Sequence, residues 1–301
     1  MTTALRRLVV NPLILKDALA RVRTWRAPAV IALYLGLLGV FAWEAFSTQL
    51  VGPQRPFGFA EVGSNVFTAL ALVQLALVCL VAPGVAAGAI SGERERQTLD
   101  VLLVSCVPSF SIVWGKLVAS VAFVLLLILS ALPLFATVFL FGGVDGGQFV
   151  ETQVLTVTTA LAVAAVSLFL SALFRRTLAA TVVAYGLTFA VTAASWYVGM
   201  MLLSSGHIRA SQALLFANPI QAMLTVLHGP AAFGPRFGGA IAVVSGPGQA
   251  FAVMPAPAAA AGPAFQLWQM TVGIELALVV LGVAGTVLLL RERRVLGRRP
   301  D

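Results

Sequence analysis

Six long apolar runs alternate with short polar breaks along this chain, at roughly 28–50, 63–90, 111–141, 150–174, 177–203 and 265–290. A helix crosses a hydrocarbon core about 30 Å thick with about 20 apolar residues, so each run predicts a transmembrane helix. The second and third are longer than a span needs and are expected to tilt or to extend beyond the lipid. The fourth and fifth are separated only by Arg175-Arg176, which reads as a tight basic turn. The expected fold class is an all-α membrane protein with six transmembrane helices in one transmembrane domain over 1–301.

Two stretches are neither span nor short loop. Residues 11–26 place Leu15, Leu19 and Val22 at helical spacing, with Trp25 near the same stripe and Lys16, Asp17, Arg21 and Arg23 between them. Asn11 suits a cap and Pro12 a first helical turn, so an amphipathic helix lying in the membrane interface is expected. Residues 204–264 read as an outer loop. Gln212 to His228 suggests a short helix broken at Asn218-Pro219, followed by Gly-, Pro- and Ala-rich sequence of irregular backbone. A lid or partner surface and a tolerated insertion both stay open for this loop.

Composition strengthens the membrane reading. The chain is 60% hydrophobic and 10% charged, against about a quarter charged in soluble domains. Mean hydropathy is +0.99. The net charge of +8 is carried in short clusters beside the apolar runs, so the lipid bilayer, and no nucleic acid, is the expected partner. With the N-terminus inside, 16 of the 19 Lys and Arg residues fall on inside segments; only Arg55, Arg209 and Arg236 fall outside. Both termini are therefore expected in the cytoplasm of a multi-pass plasma-membrane protein. No cleaved signal peptide is expected. Cys79 and Cys106 form no paired motif, and His207 and His228 stand alone, so neither a disulfide nor a metal site is expected.

The segment between the second and third runs carries the functional argument. Ser91-Gly92 reads as a helix cap, and Glu93 and Glu95 suit a positive helix N-terminus. Leu99, Leu102, Leu103 and Cys106 then recur at helical spacing until Pro108. This predicts an amphipathic helix over 93–107. Glu93, Arg94, Glu95, Arg96 and Asp100 supply charges of both signs. Such a helix, fixed between two spans, suits docking into a groove of a soluble partner; lying on the bilayer is the plainer alternative.

ERERQTLDVLLVSCVPSFSIVWGK, residues 93–116, resembles the ABC-2-type transporter permeases, whose pattern is an acidic–basic run, Gly-Thr-Leu, a leucine-rich stretch, Pro and then Gly-Lys. NPLILKDALARVR resembles the elbow helix of one branch, and Asn218-Pro219 is a further, weaker match. Gln97 departs from the commoner Gly, a change expected to matter little because Gln favours helix. The resemblance implies a coupling helix that docks on a separate ABC ATPase dimer, with Glu93, Arg94, Glu95, Arg96, Leu99, Leu102 and Leu103 as the contact. It also implies a second permease half, as homodimer or heterodimer, and export of a substrate. No Gly-x-x-x-x-Gly-Lys-Ser/Thr occurs, so no cofactor is expected here; ATP and Mg belong to the partner, and this chain is expected to be no enzyme.

Glu275, inside the sixth run, would cost about 3 kcal/mol unless paired or hydrated. With Gln269 and Gln74 it forms a possible intramembrane polar site; Gln266 lies nearby, and Glu44 reads as interfacial. Gly84-x-x-x-Gly88 would allow a close helix approach. Two other readings remain: an ABC-type complex doing mechanical work on an envelope partner, and a membrane enzyme or channel without an ATPase.

Overall fold

A computed structural model of the chain describes residues 25–51, 59–98, 108–215, 218–228 and 267–296. Among these residues the elements are helical: α1 Arg26–Val51, α2 Phe59–Ala86, α3 Ser91–Glu95, α4 Ser109–Phe139, α5 Gly146–Leu173, α6 Thr177–Phe189, a π-helix Ala190–Ala194, α7 Ser195–Ser204, α8 Ile208–Leu215, α9 Pro219–His228 and α10 Leu267–Leu296. Six segments are long and apolar enough to cross a membrane: Ala27–Thr48, Ala60–Glu95, Ser109–Phe139, Gly146–Leu173, Thr177–Leu202 and Trp268–Arg291. They coincide with the six expected runs to within a few residues. The expected interfacial helix at 11–26 lies almost wholly outside the described residues.

The chain divides into two compact units, one of Met1–Val144, Thr156–Ala190 and Glu275–Asp301, the other of Asp145–Leu155 and Val191–Ile274. In the first, apolar side chains of α2, α4, α5 and α10 meet in one core. Ile90, Val113, Leu117, Val121, Leu168 and Leu290 belong to it. Small residues let the helices approach. A Cβ at Gly84 would stand 2.6 Å from the Tyr185 hydroxyl oxygen, and that hydroxyl hydrogen-bonds the Gly84 backbone. Gly88, its expected companion, has nothing within 4 Å of a Cβ position. The turn between α4 and α5 presses on the start of α2 through Gly143. Its φ is +81° and a Cβ there would meet the Ala60 carbonyl oxygen at 1.8 Å, so only glycine fits.

Apolar side chains are also left outside. Leu33, Val40 and Trp43 on α1, Leu178 and Val182 on α6, and Val280, Leu281 and Leu288 on α10 are all exposed. Rows of large apolar side chains along three helices suit hydrocarbon as solvent, as the composition requires.

In the second unit the chain departs from the expected outer loop over 204–264. After α7, α8 turns back antiparallel to it. Ser211 Oγ donates to the Gly199 carbonyl at 2.9 Å, and a Cβ at Gly199 would meet the Leu215 side chain at 2.6 Å. Asn218 reaches as far as Thr192, ten residues back from the Leu202 end of the fifth span. At 1.5 Å per residue that is roughly 15 Å along the helix axis. α9 then runs outward again, and Gln148 Nε2 donates to the carbonyls of Val226 and Leu227 near its end, at 3.1 and 2.7 Å. α8 and α9 thus form a re-entrant hairpin. The remaining part of the expected loop, 229–266, lies outside the described residues.

Asn218 sits at the hairpin's tip and is fully buried. Its Oδ1 accepts from the N–H of Ile220 at 2.8 Å and of Gln221 at 3.4 Å, capping α9. Its Nδ2 donates to the Thr192 carbonyl and to Ser195 Oγ, each at 2.8 Å. Ser195 Oγ in turn donates to the Val191 carbonyl. A π-helix shifts the backbone ladder by one residue. Asn218 and Ser195 supply donors to two of its carbonyls, as irregular backbone at membrane depth requires.

Candidate functional site

In the second span the helix α2, 28 residues at 1.5 Å rise, is about 42 Å long, beyond the hydrocarbon core. The last part of the span is the functional segment. Pro83 interrupts α2, a short turn follows, and α3 begins at Ser91. The expected cap is different. Ser91 makes no capping bond; its hydroxyl donates to the Ala87 carbonyl at 3.0 Å. The cap comes from α5, where Ser171 Oγ accepts the N–H groups of Ile90 and Ser91 at 3.0 and 2.9 Å. Ser91 and Ser171 are both fully buried, so these bonds form away from water.

Three consecutive charged residues then grip three different places. Lys116 Nζ, in the first turns of α4, donates to Glu93 Oε1 at 2.6 Å, with the two side chains 6% and 28% exposed. Arg94 donates through Nη1 to the Phe174 carbonyl at 2.7 Å and through Nη2 to the Ala172 carbonyl at 3.0 Å. These carbonyls lie at the C-terminus of α5, where a helix lacks its own donors and favours a cation. Glu95 accepts from the Thr177 N–H at 2.7 Å and from the Thr177 hydroxyl at 2.8 Å. Thr177 opens α6, whose N-cap Arg176 provides no side-chain cap. A carboxylate from 82 residues away fills that role.

Helix α3 ends at Glu95, and of the helix expected over 93–107 only residues 93–98 lie among the described residues. The Thr98 N–H bonds the Glu93 carbonyl at 2.9 Å and the Gln97 N–H bonds the Arg94 carbonyl at 3.1 Å. This pair of bonds is a Schellman motif. Its C′ residue, Gln97, has φ +57°, in the left-handed region. Helix propensity is therefore the wrong criterion at this position, because glycine alone enters that region without a steric cost. Replacing Gln97 with Gly should stabilise the protein by about 1 kcal/mol, raising the midpoint of thermal unfolding in detergent; Gln97→Val should lower it. Residues 99–107, which include Leu99, Leu102 and Leu103, lie outside the described residues.

Of the seven expected contact residues, the structure engages Glu93, Arg94 and Glu95 inside the chain and leaves Arg96 exposed. A family model for the ABC-2 family transporter protein matches residues 13–294, nearly the whole chain. The chain belongs to the ABC-2 transporter family. It is thus a multi-pass membrane component of an ABC transporter. No curated protein matches the sequence.

Two elements of this ABC-2 permease escaped sequence reasoning. The roles of Ser171 and Thr177 depend on partners about 80 residues distant, and no local pattern reports them. The second polar candidate is also rearranged. Glu275 is 4% exposed and accepts the Thr159 hydroxyl at 2.6 Å, joining α10 to α5. Gln74 is fully buried in α2. Gln269 is exposed. Within the ABC-2 spans, Glu275 thus makes an interhelix hydrogen bond.

Proposed function

We propose that this permease is driven by a separate ABC ATPase docking on the segment 93–107, and that the pair exports a substrate. The ATPase dimer would hold ATP and Mg. Two permease halves, identical or different, would stand over it, with both termini cytoplasmic as the charge asymmetry favours. The observation that carries this reading is the attachment of residues 90–95 to α4, α5 and α6 through Lys116, Ser171, the Ala172 and Phe174 carbonyls, and Thr177. A push on the segment is thereby delivered to three spans at once. Glu93, Arg94 and Glu95 hold the segment in place, while Arg96, Leu99, Leu102 and Leu103 provide contact.

The test is co-purification of the full chain with its cognate ATPase and measurement of ATP hydrolysis. Arg96→Glu should weaken the complex about tenfold, the equivalent of one close charge pair. Unchanged co-purification and hydrolysis in that variant would sink the docking assignment.

A further inference from the structure

The corner where α3 meets the break between α5 and α6 holds more positive charge than its partners balance. Among the described residues, Arg94, Arg96, Arg175 and Arg176 stand there with two carboxylates: Glu93 is paired with Lys116, and Glu95 accepts from Thr177 through both oxygens while also feeling the nearby Arg176 charge. Arg94 is bonded to carbonyls. Among the described residues no ion pair forms at Arg96, Arg175 or Arg176, and all three are exposed. The depth of the corner follows from its neighbours. Leu173 is 46% exposed and Leu178 is 74% exposed, and each lies one residue beyond the arginine pair, across Phe174 and Thr177. Leucines bared on either side of a three-residue turn belong at the edge of the hydrocarbon, which puts Arg175 and Arg176 at the level of lipid phosphates.

We infer that Arg175 and Arg176 form a binding site for the phosphate of an anionic phospholipid, with Leu173 and Leu178 against its acyl chains. Guanidinium forks match phosphate oxygens in a bidentate geometry, which a diffuse positive surface does not supply. The site is independent of ATPase docking: an acidic protein surface would have to displace lipid from beside two exposed leucines to reach the same arginines.

Native mass spectrometry of the full chain in mixed micelles of phosphatidylglycerol and phosphatidylcholine tests this. The expected result is preferential retention of phosphatidylglycerol, falling about fivefold for each arginine removed in Arg175→Gln and in the Arg175→Gln/Arg176→Gln pair. Arg175→Lys/Arg176→Lys should keep part of the preference, since charge remains while the fork is lost. Both positions are exposed, and an unchanged unfolding midpoint in phosphatidylcholine alone shows that the variants fold. Equal retention of the two lipids by the unaltered chain overturns the proposal. So does a preference that survives the double substitution. Millimolar inorganic phosphate that abolishes the preference would reassign the site to free phosphate. Loss of ATPase binding with lipid preference intact would reassign it to protein docking.

Discussion

Asn218→Ala should lower the stability of the permease by about 3 kcal/mol, roughly one for the lost helix cap and one each for the two hydrogen bonds removed from Thr192 and Ser195. The side chain is fully buried, so water cannot replace what is removed. Two backbone N–H groups of α9 lose their acceptor, and the Thr192 carbonyl and Ser195 hydroxyl lose their donor. Asn218→Ser separates these effects. A serine oxygen still caps α9 but cannot reach the π-helix, so its loss should be about 1 kcal/mol smaller than that of alanine. Thermal unfolding of the full chain in detergent, in the order Asn, Ser, Ala, checks the argument. Equal midpoints for all three would show that the hairpin tip is held by something other than Asn218.

Glu93→Gln should cost a similar amount, ~3 kcal/mol, for an electrostatic reason. It leaves the Lys116 ammonium, 6% exposed in its side chain, without its carboxylate partner. Removing both charges in Glu93→Gln/Lys116→Met should restore much of the loss, because a buried ion pair is stabilised chiefly against losing one member. The double-mutant cycle reads this coupling directly. A double variant no more stable than Glu93→Gln alone would mean the pair contributes nothing through its charges. If the docking proposal holds, the single variant should also slow ATP hydrolysis in the complex, since the segment loses its hold on α4.

The spans were legible because their signal is local. A run such as 111–141 needs no knowledge of the rest of the chain, and α4 occupies it almost residue for residue. The charged run 93–96 was legible as a functional segment, yet the destinations of its side chains were not. Arg94 and Glu95 close bonds with residues 78 to 82 positions away, and one sequence contains no record of such pairings. Gln97 was misjudged because helix propensity describes residues inside a helix, whereas this one ends it with positive φ. Asn218-Pro219 was read correctly as a break. What the pattern concealed was direction: a break between two short amphipathic helices reads alike whether the chain stays outside or dips alongside a span. Only the bonds to Thr192 and Ser195 tell the difference.

The Lys116–Glu93 pair also bears on how the chain is made. A lone ammonium entering the bilayer on a nascent helix costs about 3 kcal/mol at the membrane centre and less toward its surface. Its neutralising carboxylate emerges from the ribosome 23 residues earlier, on the segment that follows α2. The third span therefore reaches the insertion machinery with its counter-charge already synthesised. Entry of α4 alongside α3, joined to it by that contact, would spare the bare lysine exposure to lipid.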